Sequence, residues 1–433
     1  MIVQRELLNQ VKPFIKRKEF IAITGPRQCG KSTFLEIIRN YLVKKLKINK
    51  DFIQMLTFED RKLLNQFESD PVNFVNSYIS QPNKTTYLML DEFQYAEEGG
   101  QKLKLVYDTV KNIKIIITGS SSLEIKAQVG KYMVGRVLSF NLYPFSFKEY
   151  LSAKSQRFEK IYTEKNQMVL NWFLNNKKLI IKNSVDLFTN DFVKLFEKYC
   201  LWGGYPAVVL SKTDIERKKV LNDIYNNYLL KDIKGLLELA TERNLVLLAQ
   251  YLATQISNIL VYINLSQTAG LEFRHLKEHL NILKETFIYK EVPPYFKNKQ
   301  KELVKNPKAY SLDLGFRNNL LDNMNTFIQR TDTGAIIENA VFIRLNELAR
   351  GMNKISFWRT KSGAEIDFVF QINANVIPVE VKFSTFDQPK LTKSFMSFVD
   401  TFKPKQGLIL TKNYWGMTKR NNTEILFVPV YYL

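Results

Sequence analysis

Two stretches of this 433-residue chain carry residue types at spacings that could do chemistry. The first is GPRQCGKS, residues 25–32, which fits G-x-x-x-x-G-K-[ST] in full. It follows an apolar run, FIAIT, and opens a helical pattern, the context that a phosphate-binding loop requires. Gly25 and Gly30 let backbone N–H groups wrap a phosphate, with Pro26, Arg27, Gln28 and Cys29 forming the loop between them. Lys31 brings a cation between the β and γ phosphates, and Ser32 offers a hydroxyl to Mg²⁺. Thr33 completes the expected contacts at a helix N-terminus whose dipole favours anions. A Gly-containing turn that binds nothing would not need this whole pattern in this context, so ATP or GTP is the expected ligand.

TTYLMLDEFQ supplies the matching second half. Asp91 ends an apolar strand and can hold Mg²⁺ through water, while Glu92 is placed to polarise the attacking water. A DE pair alone is common and gains meaning from the loop before it. Ser120, after IIIT and Gly119, reads equally as a sensor of the γ-phosphate or as a capping serine. Arg136, in MVGRVLSF, reads equally as a finger toward a neighbour's γ-phosphate or as an exposed loop arginine.

The second stretch is VIPVEVKFS, residues 376–384. Strand alternation puts Glu380 and Lys382 on one face of an otherwise core-like strand. Asp367 lies in the preceding strand, and a hairpin through residues 373–375 would bring it alongside Glu380. The two carboxylates could then share a Mg²⁺ or Mn²⁺ ion, with the Val381 carbonyl as a third ligand and Glu338 on its far side. Lys382 would polarise the attacking water. The competing readings are a plain ion pair on a solvated face and a nuclease relic that only binds DNA.

The elements that must position these residues follow from pattern. Apolar runs at 20–24, 52–56, 85–90 and 113–118 alternate with helical stretches. That alternation implies an α/β domain with a doubly wound parallel sheet over residues 1–150. Residues 151–235 read as a helical lid or connector, interrupted by LWGGYPAVVL. Residues 236–325 give two helices (about 244–260 and 272–285) around NLSQTAG, then a β-hairpin, the pattern of a winged helix. Its second helix carries Arg274, Lys277 and Lys284, and its hairpin tip carries Lys297, Lys299, Lys301 and Lys305. These could contact DNA phosphates or dock a partner protein. Residues 326–433 run helix, three strands, helix, strand, the order of a PD-(D/E)XK core.

The bulk numbers narrow the class. Lys plus Arg is 63 against 42 acids, a net charge of +21, which favours polyanions. Two cysteines exclude a disulfide framework, and His275 and His279 read as solvated helix residues. The uncharged window 244–271 holds too many Gln, Asn, Ser and Thr for a membrane span, and the N-terminus lacks a signal pattern, so a cytosolic location is expected.

GPRQ-x-GKS, LDEFQ, ITGSSS and NLYPFSFKEY, followed by WGGYPAV, NNYLLKDI, PKAYSLDLGFRNNL, GAIIENAVF and GAEIDFVF, resemble the AAA-type ATPases of bacteria and archaea that carry a C-terminal domain of unknown function. The resemblance covers nearly the whole chain. It implies ATP binding, a P-loop AAA-like core, a winged-helix segment and an ending similar to PD-(D/E)XK nucleases. Cys29 departs from the aliphatic residue usual there. The resulting expectation is an Mg²⁺-dependent ATPase acting on DNA, with metal-dependent cleavage at the C-terminal site. The alternative is a nucleotide-gated regulatory protein with an inert C-terminal domain, binding a partner or its own copies. A small-molecule kinase would need an acceptor pocket that the sequence does not signal.

Overall fold

The structure is a computed structural model describing residues 2–120, 130–181, 184–233, 242–296, 305–349 and 353–433. Its residues gather into two compact units. The first comprises Met1–Phe145, Tyr205–Ala207 and Asn281–Phe287, and the second Ser146–Gly204, Val208–Leu280 and Ile288–Leu433.

Five parallel strands form the first unit's sheet: β1 (Phe20–Thr24), β2 (Ile53–Thr57), β3 (Thr86–Asp91), β4 (Ile113–Gly119) and β5 (Val137–Asn141), in the order β2-β3-β4-β1-β5. β1 is buried along its whole length, and its residues alternate between two apolar layers. Phe20 and Ala22 join Phe58, Phe67, Phe74 and Phe93 on one face. Ile21 and Ile23 join Phe34, Leu35, Ile38 and Leu42 of helix Lys31–Lys44 on the other. A period of two with both faces apolar is what a covered parallel sheet demands. β5 is an edge strand with mixed exposure, and its segment had no strand assigned from sequence.

In the second unit a seven-stranded mixed sheet runs β6-β13-β14-β12-β11-β10-β9. Its strands are β6 (Ser184–Val185), β9 (Lys354–Arg359), β10 (Glu365–Ile372), β11 (Asn375–Lys382), β12 (Gln406–Thr411), β13 (Tyr414–Arg420) and β14 (Thr423–Pro429). The β13–β14 hairpin and the far-upstream β6 extend it beyond the four strands expected. A two-stranded ladder, β7 (Tyr289–Val292) with β8 (Lys308–Ser311), stands apart.

The segment around NLSQTAG differs from expectation. It is itself a helix, Tyr262–Ala269, ended by Gly270 at φ +62. The preceding helix stops at Thr254 because Ser257 takes φ +65 and its N–H donates to the Ala309 carbonyl of β8. Three helices therefore precede the hairpin. Lys297, Lys299 and Lys301 lie outside the described residues. Among the described residues no helix is long and apolar enough to cross a membrane.

Candidate functional site

The loop 25–32 leaves the C-terminal end of β1, between β4 and β5, where strand order reverses and an α/β sheet opens a crevice. The exit of β5 fixes its shape. Thr24 accepts from the Leu142 N–H at 2.7 Å, and its hydroxyl donates to Asn141 Oδ1 at 2.9 Å. Leu142 then crosses Gly25 so closely that a Cβ there would lie 2.1 Å from its carbonyl oxygen. Only glycine fits. Gly30 sits at φ +93, the left-handed region, as the helix N-cap.

Within the loop Pro26 is buried, Arg27 half-buried and Gln28 exposed at φ +62. Cys29 is fully buried in the apolar cluster with Phe34, and burial pushes its thiol up. Lys31 is 5% exposed, with Nζ donating to the carbonyls of Gly25 (3.3 Å) and Pro26 (3.2 Å). Ser32 and Thr33 present their side chains to solvent. Sequence reasoning missed Arg5. It donates to the Cys29 carbonyl at 2.9 Å and to the Tyr143 carbonyl, and stacks 4.9 Å above Phe145. It ties the loop to the β5 exit from outside any motif.

Asp91 and Ser120 stand at the same sheet edge. Asp91 Oδ1 accepts from Thr118 Oγ1 and from the Glu92 N–H at 3.1 Å, leaving Oδ2 without a hydrogen bond among the described residues. Glu92 adopts φ +54, an unusual backbone for a non-glycine residue and a form of strain that gathers at functional sites. Gln94 Nε2 donates to Glu92 Oε2 and to Ser120 Oγ at 3.3 Å, linking the two. Gln94 Oε1 is buried with no partner among the described residues. Thr118 and Gln94 were unread, although both stand inside the quoted motifs. Arg136 is elsewhere. It precedes β5, whose Val137 pairs with Phe20 at the start of β1, so it lies at the opposite sheet edge, on the order of 13 Å along the strand. There its Nε meets Asp108 Oδ1 at 3.1 Å.

The second candidate centre is in the other unit. The β10–β11 register of Phe368 with Val379 sets Asp367 opposite Glu380, as the hairpin reading required. Around Glu338, Asp367 and Glu380 the chain itself places cations and hydrogen-bond donors. Lys308 of β8, 3% exposed, puts Nζ at 3.1 Å from Glu338 Oε1 and 2.6 Å from Glu365 Oε1. Tyr310 OH donates to the same Glu338 oxygen at 2.6 Å. Asp367 Oδ2 accepts from the Val381 N–H at 2.7 Å. Glu380 pairs with Lys382 at 3.2 Å and takes the Thr392 hydroxyl on both oxygens, each at 2.9 Å. Burial pushes the Glu338, Asp367 and Glu380 carboxyls up, opposed chiefly by Lys308 for Asp367 and by Lys382 for Glu380. Among the described residues no three His, Cys, Asp or Glu side chains form a group that could hold a metal ion.

On helix Phe273–Glu285, Arg274 is exposed beside Glu278 (3.4 Å), and Lys277 lies 4.8 Å over the Tyr262 ring. His279, expected to be solvated, is buried with Nδ1 2.7 Å from the His275 carbonyl, and burial lowers its pKa.

Comparison with known proteins fits this division. Residues 17–151 match the family described as "AAA domain". Residues 193–326 and 333–431 match two families described as domains of unknown function, DUF8612 and DUF4143. The chain is similar to an uncharacterized protein of Haemophilus influenzae, 25% identical over 437 residues, which cover 99% of this chain and 98% of that one. It is also similar to an uncharacterized protein of Methanocaldococcus jannaschii, 24% identical over 395 residues, 88% and 79% of the two chains. Among solved structures, a Walker-type ATPase of Pyrococcus abyssi aligns at TM-score 0.45 and 15% identity, over 74% of this chain and 96% of that one. An Aeropyrum pernix ORC1 protein in complex with DNA aligns at TM-score 0.31 and 10% identity, over 74% and 94%. With its five parallel strands in this order and its loop at the strand-order reversal, the first unit is a P-loop, AAA-type α/β fold.

Proposed function

We propose that this chain is an Mg²⁺-dependent ATPase that acts on nucleic acid, with its hydrolytic centre at residues 25–33, 91–94 and 118–120. The observation that carries this reading is a set of polar groups left with capacity on one sheet edge. Asp91 keeps Oδ2 uncommitted, Ser32 keeps an exposed hydroxyl, and Gln94 keeps a buried, partnerless acceptor. Asp91 and Ser32 would hold the Mg²⁺, which supplies charge neutralisation between the β and γ phosphates. Gly25–Gly30 amides cradle the phosphates, and Lys31, already aimed across the loop, exchanges a carbonyl contact for a phosphate oxygen. Glu92, held by Gln94 Nε2, polarises the attacking water, with Ser120 reporting the γ-phosphate through Gln94. Arg136 faces away from its own loop, so any finger role would be toward another copy's nucleotide.

The winged-helix and PD-(D/E)XK-like readings of the second unit belong to this proposal as fold expectations. Cleavage does not. The carboxylates of the second centre answer Lys308, Tyr310 and Lys382, which favours the reading of an inert C-terminal domain.

Fluorescent-nucleotide titration and phosphate release on two variants test the ATPase. Lys31→Ala should lose ATP binding by 100-fold or more. Glu92→Gln should keep binding and lose about 10²- to 10⁴-fold in turnover, the range for a missing general base. Wild-type affinity in Lys31→Ala would overturn the assignment.

A further inference from the structure

The sheet edge opposite the nucleotide loop carries a feature with no part in hydrolysis. The starts of the parallel strands and the loops before them enclose a cavity of about 1000 Å³. Lys16, Lys18, Lys47, Lys84 and Lys111 rim it, all exposed. They come from four separate segments, which folding alone brings together. Other cations in its wall are already engaged. Arg17 is paired with Glu19 through two contacts, Nε–Oε2 at 3.1 Å and Nη2–Oε1 at 2.5 Å. Lys114, 2% exposed, donates to the carbonyls of Phe14 (2.9 Å), Arg17 (3.0 Å) and Glu19, fixing the floor. The carboxylate in the lining, Asp108, is held by Arg136. The five rim ammoniums make no ion pair among the described residues, although Lys18 lies 4.6 Å over Tyr107 and Lys84 5.1 Å over Phe52.

Gathering like charges around a concavity costs free energy unless an anion takes them up, and a concave wall focuses that field. Flexible lysines act as point charges for phosphates, without the planar fork that reads bases. A cleft of about 1000 Å³ suits one flexible strand better than a broad, stiff duplex. The half-buried Tyr107 ring lies beneath Lys18 (4.6 Å) and Arg136 (5.8 Å), so the wall is lined by cations over aromatic surface. We infer that this cleft binds the phosphate backbone of single-stranded nucleic acid without sequence preference, at a site separate from the ATP loop and from helix Phe273–Glu285. The inference deepens the nucleic-acid reading above and rests on it.

The test is fluorescence anisotropy of a labelled 20-nucleotide oligo(dT) with the full chain at increasing salt. A Lys16→Glu/Lys18→Glu/Lys84→Glu/Lys111→Glu variant should lose at least tenfold in affinity. Its log–log salt slope should be shallower by about 3, since each single-strand phosphate contact contributes about 0.7. The same four positions changed to Gln guard against misfolding and should show a smaller loss, with fluorescent-nucleotide binding at the P-loop unchanged in both. Inorganic polyphosphate should displace the oligonucleotide; failure to do so overturns the backbone assignment. Wild-type binding in the Glu variant, with loss instead in Arg274→Glu/Lys277→Glu, overturns the cleft while leaving the nucleic-acid reading intact. No binding by the wild type at low salt overturns both.

Discussion

The chain holds two clusters of acidic and basic side chains at strand ends, and they differ in what surrounds them. Around Asp91 and Glu92 the polar groups are incompletely answered: one carboxylate oxygen, one hydroxyl and one buried amide oxygen await a partner. Around Glu338, Asp367 and Glu380 each carboxylate also meets a donor from the chain itself, with Glu338 Oε2 and Asp367 Oδ1 accepting none among the described residues. What separates the two clusters is a buried cation of the chain itself: Lys308 stands 3.1 Å from Glu338 and 2.6 Å from Glu365, where its charge offsets the cost of burying them. A motif specifies the residue types; their partners decide whether the cluster is a site.

Lys308→Met would test this contrast most severely. Removing one member of a buried ionic group typically costs about 3–5 kcal/mol, because the remaining charge stays unpaired. Denaturant unfolding of the full chain should show that loss in the transition of the second unit. In the variant, and not in the wild type, Mn²⁺ without nucleotide should restore part of it by taking the vacated place between Glu338 and Glu365. Equal Mn²⁺ stabilisation of the wild type would collapse the distinction between the two centres.

Arg5→Ala sharpens the other side at intermediate size. Its guanidinium joins the loop carbonyl of Cys29 to the β5 exit at Tyr143. Without it the loop keeps its glycines and Lys31 but loses its tether. Nucleotide affinity should fall about tenfold, or 1.4 kcal/mol. Turnover at saturating ATP should change little, since Glu92 and Gln94 are untouched; a large fall in turnover with unchanged affinity would contradict the tether.

The legible parts of the molecule were those written locally. GPRQCGKS and LDEFQ carry their geometry within a few residues, and the alternation of β1 between two apolar faces follows from five consecutive side chains. Arg5 could not be read this way, because its partners are 24 and 138 positions away. Lys308 was missed for a related reason. A lysine inside the strand-like KAYS is as odd as the one in VEVK, but no role was read for it. Only the tertiary fold brings it to Glu338 and Glu365. The β13–β14 hairpin did leave a local signal. Two Asn residues, the first at φ +53, separate two strand-like runs, a spacing that favours a tight turn.

Lys382→Ala is the smallest effect and the most diagnostic for VEVK. The Lys382 side chain is 42% exposed, so its 3.2 Å contact with Glu380 is screened and worth no more than about 1 kcal/mol. The sign of its pH dependence follows from Glu380. Burial raises that carboxyl above its ordinary value despite the lysine. A raised carboxyl leaves the folded state holding a proton that the unfolded chain has released, so its contribution to stability is full below the ordinary carboxylate range. That contribution is lost as pH rises through the folded value. Lys382 moderates the loss by favouring the ionised form. The substitution should therefore cost least below the ordinary carboxylate range and approach about 1 kcal/mol as pH rises through the folded value of Glu380. A flat difference over that rise in pH would mean that the pair is not ionically coupled, and that the Thr392 hydroxyl bonds alone keep Glu380 in place.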